Sequence, residues 1–266
     1  MTMRDDHALA GELATEAGAR LLELRARHGF ADQRALKDAG DRSSHLYLMD
    51  ALRRLRPEDA VLSEEATREE RLDPARLSAS RVWIVDPLDG TREFSEAGRS
   101  DWAVHVALWE RGALTAGAVA LPAQGRTLTT VEPPELPKAP ARGEPFRVAV
   151  SRTRPPEFVR DLAERLGAEP VPIGSAGAKI AAVLTGEVEA YVHAGGQYEW
   201  DSAAPVAVAL ASGAHASRID GSPLTYNQSD PSLPDILVSL PDLAPTLLAC
   251  IRDLHQSPQR KPNAST

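Results

Sequence analysis

Asp86 and Asp89 close the apolar run Trp83-Ile84-Val85 and are separated only by Pro87 and Leu88. A β-forming run that breaks into proline and then Gly90-Thr91 predicts a strand leaving its sheet, with both acids aimed at one spot. Side by side, two carboxylates repel, and keeping both ionised in a cleft is costly unless a cation lies between them. Oxygen-only ligands suit Mg²⁺ or Mn²⁺. Gly90 and Thr91 add backbone N–H groups and a hydroxyl at an expected helix start, where an anion is stabilised. A cation on one side of a phosphate and N–H donors on the other is the chemistry this spacing implies.

Asp-Pro-x-Asp-Gly is also good turn chemistry, and alone it would read as a turn. Three further acidic positions shift the balance. Glu64-Glu65 follows the apolar 60–62, so a second strand is expected to end in carboxylates. Asp41 precedes a helical stretch predicted at 43–56, where it serves equally well as a helix N-cap or a ligand. Trp200-Asp201 opens another predicted helix far downstream.

The set Glu64-Glu65, Asp86-Pro-Leu-Asp-Gly-Thr91 and Trp200-Asp201 resembles the inositol monophosphatase superfamily of Mg²⁺-dependent, Li⁺-sensitive phosphatases. Thr91-Arg92-Glu93-Phe94, Asp101-Trp-Ala-Val-His105 and Gly174-Ser-Ala-Gly-Ala-Lys179 are similar to its CysQ branch, the 3′(2′),5′-bisphosphate nucleotidases, and to actinobacterial members above all. The resemblance implies the layered α/β/α/β sugar-phosphatase fold, an α+β and α/β mixture. It also implies two or three Mg²⁺ per site, with Mn²⁺ able to substitute. By position, Glu64, Asp86 and the Leu88 carbonyl would hold one metal, and Asp86, Asp89 and Asp201 a second. Asp41 with Glu64 would orient a further ion or the attacking water, and Thr91 would take or relay its proton. Gly90 and Thr91 would bind the scissile phosphate, while Ser175 and Lys179 would meet the second phosphate of a nucleotide bisphosphate. His193 stands where inositol phosphatases place a glutamate for ring hydroxyls, and a nucleotide contact is expected of it instead. Lys179 as a solvated lysine, His193 as a structural histidine and Glu65 as half of a structural ion pair are the plainer alternatives. The implied activity is removal of the 3′-phosphate of 3′-phosphoadenosine 5′-phosphate, a by-product of sulfate assimilation. An inositol-1-phosphate or fructose-1,6-bisphosphate phosphatase is the alternative within the class, and a non-catalytic nucleotide sensor the alternative outside it. A homodimer is among the assemblies the resemblance allows.

The elements that must carry these residues follow from periodicity. An amphipathic helix is predicted over 5–28, stopped by Gly29. Strands are predicted at 60–63, 81–85, 103–109, 114–121 and 127–131, with Arg111-Gly112 as a hairpin turn. The proline-rich run 133–145 cannot sit inside a sheet. It divides an expected N-terminal unit, 1–132, which holds most acidic ligands, from a C-terminal α/β unit, 146–256, which holds Asp201 and the substrate-selecting residues; a polar tail, 257–266, follows.

Composition sets outer limits. Within 266 residues, 38 acidic against 30 basic side chains give a net charge of −8, a surface that repels nucleic-acid backbones. A phosphate ester meets the same repulsion, so its site needs bound cations to reverse the local sign. One cysteine, Cys250, rules out an intrachain disulfide. The polar start Met-Thr-Met-Arg-Asp-Asp-His predicts no signal peptide, and no apolar run approaches membrane-spanning length, so a cytoplasmic protein without membrane or nucleic-acid partners is expected.

Overall fold

The computed structural model describes residues 5–141, 143–153 and 155–256; the expected tail at 257–266 lies outside them. Helix α1 (Asp6–His28) begins where Asp5 accepts a hydrogen bond from His7 N, and it ends at Gly29, whose φ of 69° suits glycine. Leu9, Leu13, Ala17 and Leu21 form its buried stripe. Helix α2 (Gln33–Leu55) starts ten residues before the predicted stretch, because the Asp32 carboxylate caps it by accepting from Ala35 N at 3.0 Å. Asp41 therefore lies inside the helix, and its N-cap reading is wrong.

Five strands build the first sheet, β1 (Ala60–Ser63), β2 (Arg81–Asp89), β3 (Ala103–Glu110), β4 (Ala113–Leu121) and β5 (Arg126–Thr129), in chain order. Only β1 and β2 are parallel. Short helices α3 (Arg68–Arg71) and α4 (Pro74–Ser78) make the β1–β2 crossover, and α5 (Thr91–Ser95) follows β2. The β3–β4 hairpin turns on Arg111 and Gly112, both at positive φ, which suits Gly112 and is uncommon for an arginine.

The second sheet uses β6 (Arg147–Ser151), β7 (Glu169–Ile173), β8 (Ala190–Tyr198), β9 (His215–Ser217) and β10 (Ser232–Ser239) in the order β7-β6-β8-β10-β9. Helix α6 (Glu157–Leu166) joins β6 to β7, α7 (Ala176–Leu184) follows β7, α8 (Glu199–Ala211) follows β8, and α9 (Ala244–Gln256) comes last.

Alternation along β2 explains the layering. Trp83 and Val85 are buried with α1 and α2, whereas Val82 and Ile84 are buried with α7 and α8 on the opposite face. Helices α7 and α8 also meet Tyr191, Ile236 and Val238 of the second sheet, and α6 and α9 cover its outer face. The result is the α/β/α/β order with one further helical layer outside. Each central helix touches both sheets, so a residue at the start of α7 or α8 can face the end of β2.

Candidate metal centre and substrate cleft

Strand β2 does not stop at Val85. It continues through Asp86 and Asp89 to pair with β3, with a register shift between the two acids. Pro87 sits in that shift, where a missing N–H costs no ladder bond, and the irregularity turns both carboxylates to the same side. Asp201, in the first turn of α8, completes the group: one carboxylate oxygen from each of Asp86, Asp89 and Asp201 lies within 4.8 Å of the others.

Charge is distributed unevenly among them. Asp86 is buried among Glu64, Asp89 and Asp201, so its carboxyl is held well above the usual range, and it shares a hydrogen bond with Glu64. Burial, with Asp89, Asp41 and Glu65 nearby, pushes Glu64 up to about 7 against the hydrogen bond with Asp86, which favours its ionised form. Burial and Asp89 do the same to Asp201, also to about 7. Burial would raise Asp89 too, but His105, the Gly177 N–H and Lys179 outweigh it and hold Asp89 below the ordinary value. Asp89 Oδ2 accepts from Gly177 N at 2.6 Å, and Oδ1 from Ala176 N at 3.3 Å. His105 Nε2 lies 3.2 Å from Asp89 Oδ2, at ion-pair distance without hydrogen-bond alignment, while its Nδ1 meets the Trp200 carbonyl at 3.0 Å. Gly177 has no room for a side chain, since a Cβ would lie 2.0 Å from His105 Nε2.

This donor set fits a divalent cation. Four carboxyl groups converge in a buried place, among the described residues no cationic side chain bridges Asp86, Glu64 and Asp201, and their protonation-favouring surroundings are the signature of anions lacking a counter-charge. Oxygen donors alone select a hard ion.

Thr91 stands beside the cluster. Its hydroxyl meets the Leu88 carbonyl at 3.3 Å and is hydrogen-bonded to Asp41, which reaches across from the middle of α2. Burial, with Glu65 and Asp38 nearby, pushes Asp41 up to about 7, so a proton is easily kept on it. Glu65 thus adds charge to Asp41 in the place expected of a structural ion pair. Gly90, at φ 86°, caps α5; a Cβ there would meet Ser175 at 2.8 Å.

A cavity of about 580 Å³ opens from Asp89, Gly90 and Asp201, within the range of small-molecule sites. Ser175 lines it, but its oxygen accepts from Ala178 N at 2.9 Å and caps α7. Lys179 is not a solvated lysine: it is 4% exposed, donates from Nζ to the Gly174 carbonyl at 2.5 Å and lies 5.4 Å from the Tyr191 ring centre. Burial lowers its pKa, against the pull of Asp89, Glu93 and Asp201. His193 bonds through Nε2 to the Gly195 carbonyl at 2.7 Å, and its buried Nδ1 has no hydrogen-bond partner among the described residues. Ser151, Thr153, Tyr191 and Gln197 also line this cavity, and the sequence reading missed them. Gln197 donates to the Tyr191 hydroxyl at 2.8 Å and leaves its buried carbonyl oxygen open. Only its alternation along β8 with Tyr191 and His193 could have pointed to it.

A second network, also unforeseen, steadies the acidic segments. The Arg71 guanidinium donates to the Glu64 carbonyl and stacks 4.6 Å from the Trp200 ring centre. Buried Arg76 donates to the Arg71 carbonyl, to Asn227 Oδ1 at 2.5 Å and to the Gln228 carbonyl at 3.1 Å. Backbone N–H groups of Asn227 and Gln228 in turn donate to the buried Glu199 carboxylate at 2.6 and 2.8 Å. Arg76→Met would strand the buried Asn227 Oδ1 and two partly buried carbonyls and remove a counter-charge from Glu199. We expect a loss of roughly 2 kcal/mol, or about 5 °C in melting temperature. Thermal denaturation checks this, and an unchanged midpoint would refute the network's importance.

Comparison with known proteins accords with this geometry. The inositol monophosphatase family model matches residues 7–256. The 3′-phosphoadenosine 5′-phosphate phosphatase of Mycobacterium leprae (strain TN) is 54% identical over 262 residues, 94% of this chain and 95% of that protein. The 3′(2′),5′-bisphosphate nucleotidase CysQ of Escherichia coli (strain K12) is 31% identical over 217 residues, 76% and 84% of the two chains. Among solved structures, CysQ from Bacteroides thetaiotaomicron superposes with a TM-score of 0.70 at 26% identity, covering 88% of this chain and 96% of its own. Inositol monophosphatase-II from Staphylococcus aureus MSSA476 shares the fold, with a TM-score of 0.73 at 24% identity over 96% and 98% of the chains. Among the described residues no helix is long and apolar enough to cross a membrane. With its sheet order, its convergent carboxylates and the family match over nearly its whole length, this chain belongs to the inositol monophosphatase family, whose members here are phosphatases.

Proposed function

We propose that the chain is a Mg²⁺-dependent phosphatase that converts 3′-phosphoadenosine 5′-phosphate to AMP and inorganic phosphate, a cytoplasmic reaction on a small nucleotide. The observation that carries the reading is the meeting of Asp86, Asp89 and Asp201 at one end of a cavity whose other polar groups include buried Lys179. The relatives from Mycobacterium leprae and Escherichia coli bear names of that activity.

Phosphate monoesters hydrolyse so slowly unaided that accelerations approach about 10²¹-fold, which asks for strong charge neutralisation. Divalent ions held by Glu64, Asp86, Asp89, Asp201 and the Leu88 carbonyl would supply it, by lowering the pKa of a water and offsetting charge on the leaving oxygen. The chain's own residues do the rest. Asp89, fixed by Gly177 N and His105 and held below the ordinary carboxylate value, presents an oxygen that favours its ionised form. Thr91 Oγ, hydrogen-bonded to Asp41, takes the proton of the attacking water and passes it to the Asp41 carboxylate. Gly90, Ser175, Lys179 and His193 line the cavity; Gly90 and the Thr91 N–H would bind the scissile phosphate, and Lys179 Nζ, with Ser175 and His193, would meet the second phosphate.

Phosphate release in Mg²⁺ from 3′-phosphoadenosine 5′-phosphate, inositol 1-phosphate and fructose 1,6-bisphosphate tests the choice. The nucleotide is expected to be preferred, and Lys179→Met should raise its KM by about 10- to 100-fold, the worth of one charge-assisted hydrogen bond. Brisk inositol phosphate turnover with negligible nucleotide hydrolysis would overturn the reading.

A further inference from the structure

Arg152 belongs to no part of the centre described above, yet it is tied to two sides of the cleft. It follows the last residue of β6, between Ser151 and Thr153, both of which line the cavity. Its own guanidinium turns to α5: Nη2 and Nε both donate to Glu93 Oε1, at 2.7 and 3.1 Å, and Nη2 also donates to Glu96 Oε1 at 3.1 Å. Glu93 is buried and packs directly against Gly174, where a Cβ would lie 2.3 Å from Glu93 Cγ. The Gly174 carbonyl is the acceptor that holds Lys179 Nζ. One ion pair thus fixes the Ser151–Thr153 wall, supports the Gly174–Lys179 wall and anchors both to the short helix that follows Asp89 and Gly90.

We propose that Arg152 is a specificity-determining positioning residue. It sets the distance between the carboxylate cluster and the wall that receives the non-reacting part of a large phosphate ester, such as the nucleoside and second phosphate of a nucleotide bisphosphate. The inference rests on the function proposed above, because Thr153 lines the same cavity as Asp89 and Asp201 and a nucleotide bisphosphate would extend from the carboxylates along it. Ser151 and Thr153 come from β6 and the turn after it, whereas the clustered carboxylates come from β2 and α8. Loosening the pair therefore moves one wall relative to the other, and a small ester held at the carboxylate end is indifferent to it.

The test compares 3′-phosphoadenosine 5′-phosphate with glycerol 2-phosphate in Arg152→Ala, Arg152→Lys and Thr153→Val. Arg152→Ala should raise KM for the nucleotide by about tenfold, with kcat within about twofold, as a displaced binding wall predicts. Kinetic constants for glycerol 2-phosphate should stay within about twofold, and Arg152→Lys should recover part of the loss. Thr153→Val leaves the ion pair intact and should raise KM for the nucleotide alone. Equal losses on both substrates, accompanied by a lower melting temperature, would mark the pair as merely structural and overturn the inference, as would an unshifted ratio. Absence of nucleotide turnover by the unaltered chain is a different failure and would overturn the proposed function itself.

Discussion

Asp86→Asn should abolish most phosphatase activity while making the metal-free protein more stable. Asp86 sits between Glu64, Asp89 and Asp201, and its Oδ1 accepts the Leu88 N–H at 3.0 Å. Asparagine keeps that acceptor and offers an amide hydrogen to Glu64, so the local fold survives the change. What disappears is the one carboxylate whose position serves both proposed metals. Losing it should lower kcat/KM by on the order of 10³-fold, about 4 kcal/mol of transition-state stabilisation. The same substitution relieves buried like-charge repulsion, so the melting temperature in a chelator should rise by roughly 3 °C. Opposite signs in the two measurements distinguish a metal-holding acid from a packing residue, for which both would fall. Activity within about tenfold of the unaltered chain would remove Asp86 from the centre.

That Asp86, Asp89, Glu64 and Asp201 meet was legible because each sits at a change of backbone rhythm, and acids at such places need a reason. The N-terminal sheet was legible for a related cause: β2, β3 and β4 are apolar runs, and a glycine turn joins β3 to β4. Asp41 was misplaced because Gly40 and Asp41-Arg42-Ser43-Ser44 look like a helix start, whereas Asp32 caps the helix a turn and more upstream. Gly40 belongs in the helix for packing: a Cβ there would lie 2.7 Å from the Phe94 ring. Strand β10 escaped notice because Pro234 and Asp235 interrupt it; the structure puts its irregularity between Leu233 and Asp235, and Asp235 pairs with Arg218. Least legible were Arg71, Arg76 and Arg152. A charged side chain on a short helix or after a strand has many solvated alternatives, and only folding reveals that Arg76 is 2% exposed with its donors spent on backbone and Asn227.

The metal-free protein should lose stability as pH rises from 5 to 8, the reverse of ordinary carboxylate behaviour, and added Mg²⁺ should cancel most of the loss. Glu64 and Asp201 are each pushed up to about 7 by burial and neighbouring acids, from unfolded values of 4.5 and 3.8. Between those limits the folded state binds more protons than the unfolded chain, so unfolding free energy falls with rising pH, and the loss is complete once both carboxyls have ionised. Asp86, raised well above the ordinary carboxylate value by burial and by Glu64, Asp89 and Asp201, acts in the same direction. His105, raised by Asp89 despite its burial, acts in the same direction once the pH passes its unfolded value. Asp89 is lowered, so its contribution is already present above pH 4 and does not oppose the trend. Together these groups should cost on the order of 5 kcal/mol, or roughly 15 °C in melting temperature, across the window in a chelator. A divalent ion binds only the deprotonated cluster, so its affinity grows over the same interval and returns the lost stability. Thermal denaturation at pH 5, 6, 7 and 8, with chelator and with millimolar Mg²⁺, decides the matter. A midpoint that stays level or climbs with pH in the chelator would mean that the four acids do not share one buried space.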